Sequence, residues 1–192
     1  MKSILFKTEF VKKIMDGLKT QTRRKMPFVW DEKLSMFRDN KGMPHSDDFV
    51  FHMARYEIGD ELYVKEKWRT TWIFDDLSPS GIKNFSLVQY PDTMKQDGVD
   101  WGRWRQALHM PEWASRVKIR ITNCRVEKLL DISERDVCLD LGVPLEWPGP
   151  GPEPYKRNLR LGFFTLWTDM HKKPLDIEER VYVYDFERIQ ED

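Results

Sequence analysis

The chain has 192 residues, 40% of them apolar and 33% charged, and its 32 basic residues balance its 32 acidic ones. That length suits one domain of ordinary size, or one domain carrying a long insertion, with a core that needs no disulfide staples. The even charge excludes the basic excess of a protein that coats long nucleic acid, and no apolar run nears the ~20 residues that span a bilayer.

The N-terminal run MKSILFKTEF meets a lysine after a short apolar stretch, so no secretory leader is expected there. Cys124 and Cys138 show no CxxC spacing and read as ordinary thiols in a reducing cytoplasm. His45, His52, His109 and His171 are scattered without a zinc-ligand spacing, so neither a metal nor another cofactor is expected.

In chain order, residues 3–7 read as a short strand. Thr8 suits an N-cap, and Phe10, Val11, Ile14, Met15 and Leu18 recur at helical spacing. Gly17 is placed to stop that helix in a left-handed turn. The polar stretch DGLKTQTRR, residues 16–24, therefore leaves a helix end. If it is extended, Thr20, Thr22 and Arg24 share one face, and Gln21 and Arg23 share the other. Residues 26–55 give no clear organisation.

Residues 56–60 read as a turn before a strand at 61–68. In that strand Leu62, Val64, Glu66 and Trp68 point one way, and Tyr63, Lys65 and Lys67 the other. Residues 69–115, rich in Trp, Gly, Pro and Asp, read as a long excursion too irregular to own a core. Residues 116–126 alternate cleanly, with Val117, Ile119 and Ile121 on one face. Ser133 caps a short helix running to Gly142, with Asp136 at its third position. The proline-rich stretch 143–154 reads as a loop. Residues 155–172 read as a helix through Leu159, Phe163, Trp167 and Met170. Residues 180–189 form a strand apolar on both faces, hence internal. The order predicts an α+β fold: a small β-barrel or strongly curved sheet flanked by helices, one domain over 1–192 with an insertion at about 69–115.

Glu66 is the most informative single residue, because it falls on the apolar face of its strand. A carboxylate there requires an ion-pair partner, water at a sheet end, or a role in a site. Lys19, just past the helix stop, suits either a solvated loop or a base at a junction. Thr20 and Thr22 offer hydroxyls, and Arg23 and Arg24 suit phosphate or carboxylate. Trp68, Trp72, Trp101, Trp104 and Trp113 serve as core, or stack on bases beside Arg103, Arg105 and Arg116. His109 stands before a turn, with no nucleophile spacing of its own.

Three runs, in order, resemble the ASCH-domain family, whose fold is a PUA-like β-barrel. DGLKTQTRR fits the family's G-x-K-x-x-E-x-R signature at Gly17, Lys19 and Arg24, with Thr22 where many members carry Glu. YEIGDELYVKEKW is similar to its GD-x-L-x-V-x-E-x-W strand, and HMPEWASRVKIRITNCRVEKLLDIS to a run in longer phage and prophage members. The G-x-K-T-x-T-x-R form of the first run resembles the family's N4-acetylcytidine amidohydrolases. That resemblance implies Lys19 as the base activating Thr22 or water. It implies an acid in the helix after the central strands, where Asp140 stands nearest the expected position, with Glu134 and Glu66 as the other acids. The candidate substrate contacts are Thr20, Arg23, Arg24, Trp68, His109, Trp113 and Arg116. The expected partner is a nucleoside or single-stranded nucleic acid, not a membrane. The alternatives are a module that binds RNA or a modified base without chemistry, and a ribonuclease.

Overall fold

The computed structural model describes residues 1–84, 86–144 and 159–190. Its strands are β1 (Lys2–Leu5), β2 (Gln21–Lys25), β3 (Val29–Asp31), β4 (Met36–Arg38), β5 (Pro44–His45), β6 (Glu61–Lys65), β7 (Lys118–Lys128) and β8 (Arg180–Ile189). Its helices are α1 (Thr8–Met15), α2 (Asp47–His52), α3 (Glu134–Leu141) and α4 (Leu159–His171). The strands form a mixed five-stranded sheet, in the order β1-β6-β7-β8-β2, and a three-stranded sheet β3-β4-β5. The α+β class is as expected, but no strand pairing closes a barrel among the described residues: the five-strand order is linear, ending on β1 and β2.

The chain divides into two compact units. The first holds residues 1–17, 60–120 and 187–192, and the second residues 18–59 and 121–186. In the first unit β1 runs parallel to β6, and β6 pairs antiparallel with the start of β7. Leu62, Val64, Glu66 and Trp68 are all buried, as the alternation predicts, although the regular strand stops at Lys65. The excursion 69–115 packs around Trp68, the last residue of the segment before it. Ile82, Met110 and Ala114 enclose Trp68, with Phe74, Val88, Tyr90 and Trp113 around them. Short 3-10 turns supply its geometry, so it carries no long apolar period to read from sequence.

Helix α1 buries Val11 and Ile14, and Gly17 ends it at φ 74°. Thr8 is the first helical residue and not the cap; Lys7 holds that position and caps with no side chain. Leu18 stays 39% exposed, because the glycine has already turned the chain off the helical face.

In the second unit β2 pairs antiparallel with β8. On one face Val181 and Val183 pack with Leu129 and Ile132, which precede α3, and with Val137 of α3 and Phe163 and Trp167 of α4. On the other lie Tyr182 and Tyr184, both buried, and Tyr182 donates its hydroxyl to the carbonyl of Val50 at 2.6 Å. With apolar side chains on both faces, β8 lies inside its sheet. Met170 is 41% exposed and does not join the core stripe of α4. The stretch 26–55 is organised by β3, β4, β5 and by α2, which Ser46 caps by accepting from the Phe49 N–H. The expected loop 143–154 and the helix start before residue 159 fall largely outside the described residues.

Helix α3 begins as expected: the Ser133 hydroxyl oxygen accepts the Asp136 N–H at 3.1 Å, and Gly142 ends the helix at φ 62°. Ser133→Ala is expected to cost about 1 kcal/mol, read as a lower urea midpoint with an unchanged slope.

Candidate functional site

The segment after Gly17 is pinned by its backbone. Thr20 donates its N–H to the carbonyl of Leu139 at 3.2 Å, and its carbonyl receives the Phe186 N–H at 2.8 Å. Both ties set Lys19 against the C-terminal turn of α3. Carbonyls there have no partner within the helix, and they form the negative end of its dipole. The Lys19 ammonium answers both demands. It donates to the Asp140 carbonyl, to the Asp140 carboxylate at 2.8 Å and to the Gln21 carbonyl at 2.8 Å. The side chain is only 1% exposed. An ammonium has three protons to give, and here three oxygens receive.

Asp140 serves two cations. Its other carboxylate oxygen receives Arg23 Nη1 at 3.3 Å, and Arg23 Nη2 reaches Glu127 at 3.0 Å. Arg23 also donates to the side-chain oxygen of Gln21, whose amide nitrogen then faces Asp136 at 3.0 Å and Asp185 at 2.7 Å. Arg125 closes the outer side, bonding Glu127 and Asp185. Hydrogen bonds from Ser133 and Gln21, with Arg23 and Arg125 nearby, outweigh burial and hold the Asp136 carboxyl below its ordinary value. An open hollow of about 580 Å3, lined partly by Thr20, Gln21, Asn123, Arg125 and Asp136, adjoins this network.

Thr22 is also buried, but it pairs with Tyr184 across the ladder and so alternates onto the face opposite Gln21 and Arg23. Arg24 shares that face opposite Tyr182, and burial pulls its guanidinium below the usual arginine value.

The remaining expected residues belong to the first unit, where they form a network of their own. Glu66 receives Arg116 Nε at 2.7 Å and Arg116 Nη2 at 3.0 Å. The same guanidinium bonds Asp92 at 2.6 Å and lies 4.2 Å over the ring of Tyr90. Burial pushes the Glu66 carboxyl up, and Arg116 partly offsets the rise. Asp92 and Tyr90 come from the excursion, so this pair moors 69–115 to β6. Trp68 is core, with Trp113 edge-on to it at 5.9 Å, and His109 is exposed on a 3-10 turn. Arg105 is likewise structural, donating to the carbonyls of Phe74 and Leu77.

Comparison of the chain with protein-family models, with curated proteins and with solved structures returns no match. The site therefore stands on its own geometry. Of the expected residues, Lys19, Arg23 and Asp140 come into direct contact. Glu134 is exposed on α3 and has no part in that network. The sequence reading passed over Gln21, Arg125, Glu127, Asp136 and Asp185 as site residues. One signal for them was present: Asp185 interrupts the otherwise apolar run 181–186, and the ladder sets it opposite Gln21.

Proposed function

We propose that the chain is an ASCH-like domain of PUA-like type and a hydrolase that cleaves the N4-acyl amide of a modified cytidine. One observation carries this reading. Lys19 of the signature run and Asp140, the acid nearest the position where the resemblance expects a glutamate, lie 121 residues apart in sequence and meet at 2.8 Å. The Asp140 carboxylate receives a Lys19 hydrogen bond and holds the nitrogen in place, and in this scheme Lys19 serves as the base after giving a proton to solvent. The amine then takes a proton from water as its oxygen adds to the acyl carbon. The C–N4 bond breaks, and the leaving nitrogen takes that same proton back from Lys19, giving cytidine and the free carboxylic acid. Because Thr22 stands on the opposite face of β2, the nucleophile in this scheme is water.

A second reading has its own support. Lys19 is enclosed and donates to three oxygens, the bonding of a fixed cation in a binding module without chemistry. One assay separates the two. Wild type, Lys19→Ala and Asp140→Asn are offered N4-acetylcytidine, and cytidine is followed by chromatography. The hydrolase reading expects turnover by wild type and a loss of at least 100-fold in each variant, the scale of a lost acid–base group. No cytidine above background from folded wild type removes it for this substrate and leaves the binding module.

A further inference from the structure

Near the start of β7 and the end of β8, the first unit holds a small hollow lined by none of the Lys19 network. It encloses about 160 Å3, and Ser115, Arg116, Val117, Lys118, Arg188 and Ile189 line it. Three of these side chains are cations, and no carboxylate lines the hollow among the described residues. The volume is well below the ~300–1,000 Å3 of sites that hold a whole drug-sized ligand, so it suits one compact charged group.

Two of the cations keep donors in reserve. Arg116 bonds Glu66 and Asp92 through Nε and Nη2, and its Nη1 has no partner among the described residues. Arg188 is exposed on β8, and its Nη1 donates to the Met15 carbonyl at 2.9 Å, which ties the guanidinium to the end of α1. Its Nε and Nη2 have no partner, and it joins no ion pair, among the described residues. Glu66 and Asp92 offset the charge of Arg116, whereas Arg188 brings a charge with no such offset. Guanidinium forks match the oxygens of a phosphate, and bonds between charged partners are the strong ones.

A second hollow continues from the first. It measures about 510 Å3, and Asn84, Glu112, Trp113, Ser115 and Lys118 line it, so Ser115 and Lys118 are common to both. Trp113 brings a half-buried aromatic ring, and the exposed Asn84 amide both donates and accepts. The Glu112 carboxylate lies 3.3 Å from the N-terminal ammonium, which offsets its charge. This hollow falls within the size range of ligand sites and has room for the group that carries a phosphate.

We propose that the two hollows together bind a nucleotide as a phosphate monoester. Its phosphate lies among Arg116, Lys118 and Arg188, and its base lies in the larger hollow against Trp113, with Asn84 at the base edge. The phosphate belongs to a free mononucleotide or to the 5′ end of a single strand. The site is built from the first unit and does not rest on the hydrolase reading.

The test is a titration of 15N-labelled full-length protein with adenosine and cytidine 5′-monophosphates, followed by backbone amide shifts. Saturable shifts centred on residues 84, 112–118 and 187–189 are expected for at least one of the two. The matching nucleoside, which lacks the phosphate, is expected to bind at least tenfold more weakly. Ribose 5-phosphate, which lacks the base, is expected to bind about tenfold more weakly, the scale of one stacked base. Arg188→Gln and Lys118→Gln are each expected to weaken the nucleotide about tenfold, the scale of one hydrogen bond to a charged group. The ligand comparisons need no variant, so they decide the matter should Lys118→Gln fail to fold. A 5′-phosphorylated pentanucleotide separates the sources. Tighter binding than the mononucleotide assigns the site to a strand end, and equal or weaker binding assigns it to the free nucleotide. The proposal is overturned if neither nucleotide gives a saturable shift in this region, or if the nucleoside or ribose 5-phosphate binds as tightly as the nucleotide. It is equally overturned if either glutamine variant, once folded, leaves the affinity unchanged.

Discussion

Asp140→Ala is expected to lower the unfolding free energy by about 3–5 kcal/mol, the cost of breaking a buried ion pair from one side. Its carboxylate is shared by Lys19 at 2.8 Å and Arg23 at 3.3 Å, and both cationic side chains are only 1% exposed. Removing it strands two positive charges in a network that is largely shielded from solvent. Part of the loss is cushioned: Arg23 keeps Glu127, and Lys19 keeps two backbone carbonyls. The lower end of the range is therefore expected. The double variant Lys19→Met, Asp140→Leu leaves Arg23 with Glu127 and no stranded lysine, so it should be more stable than Asp140→Ala alone. Urea unfolding at 25 °C measures both. A loss under about 1 kcal/mol in Asp140→Ala would mean that the pair is hydrated and behaves as a surface salt bridge.

The parts of the fold that were legible in sequence are those where one local rule governs. Alternation located β7 and the buried face of β6, because a strand covered on one side must send every second residue inward. The Ser133 cap and the Gly142 stop bounded α3, because each satisfies backbone groups that the helix leaves open. Residues 26–55 were not legible, since their strands run three, three and two residues, too short for a period to show. The core around Trp68 escaped for a related reason. It is assembled from 3-10 turns and isolated residues, and its unity exists only in space.

The candidate site was legible in its residue types and less so in its partnerships. The extended reading of DGLKTQTRR put Gln21 and Arg23 on one face, and that face carries the ion network. It put Thr22 on the other, and the pairing with Tyr184 agrees. What sequence could not supply was the carboxylate each cation meets, because those contacts join residues more than 100 positions apart. Glu66 shows the limit from the opposite side. Its burial was readable from alternation, but its partner stands 50 residues on, beyond the excursion.

Arg116→Met is expected to cost about 3–5 kcal/mol at pH 8 and to recover part of that loss at pH 5.5. Glu66 is 1% exposed and receives two hydrogen bonds from Arg116, so the variant leaves a carboxylate buried beside Asp92. In the wild type burial already raises the Glu66 carboxyl above its ordinary value, and Arg116 is the main group opposing that rise. Without Arg116 the carboxyl rises further. A carboxyl whose folded value lies above its unfolded value of about 4.3 takes up its proton first in the native state. The penalty is then full above the folded value and fades as pH falls toward the unfolded one. Subtracting wild-type stability at each pH cancels the other carboxylates and isolates this site. The double variant Glu66→Gln, Arg116→Met has no group to titrate there, so its difference from wild type should vary much less with pH. An Arg116→Met deficit equal at pH 8 and pH 5.5 would show that Glu66 stays ionised and hydrated, and that the guanidinium acts chiefly through Asp92 and the Tyr90 ring. Limited proteolysis reads the same event at the excursion. Asp92 and Tyr90 lose their shared anchor in the variant, so cleavage within residues 69–115 is expected to quicken at pH 8 and to slow again on acidification.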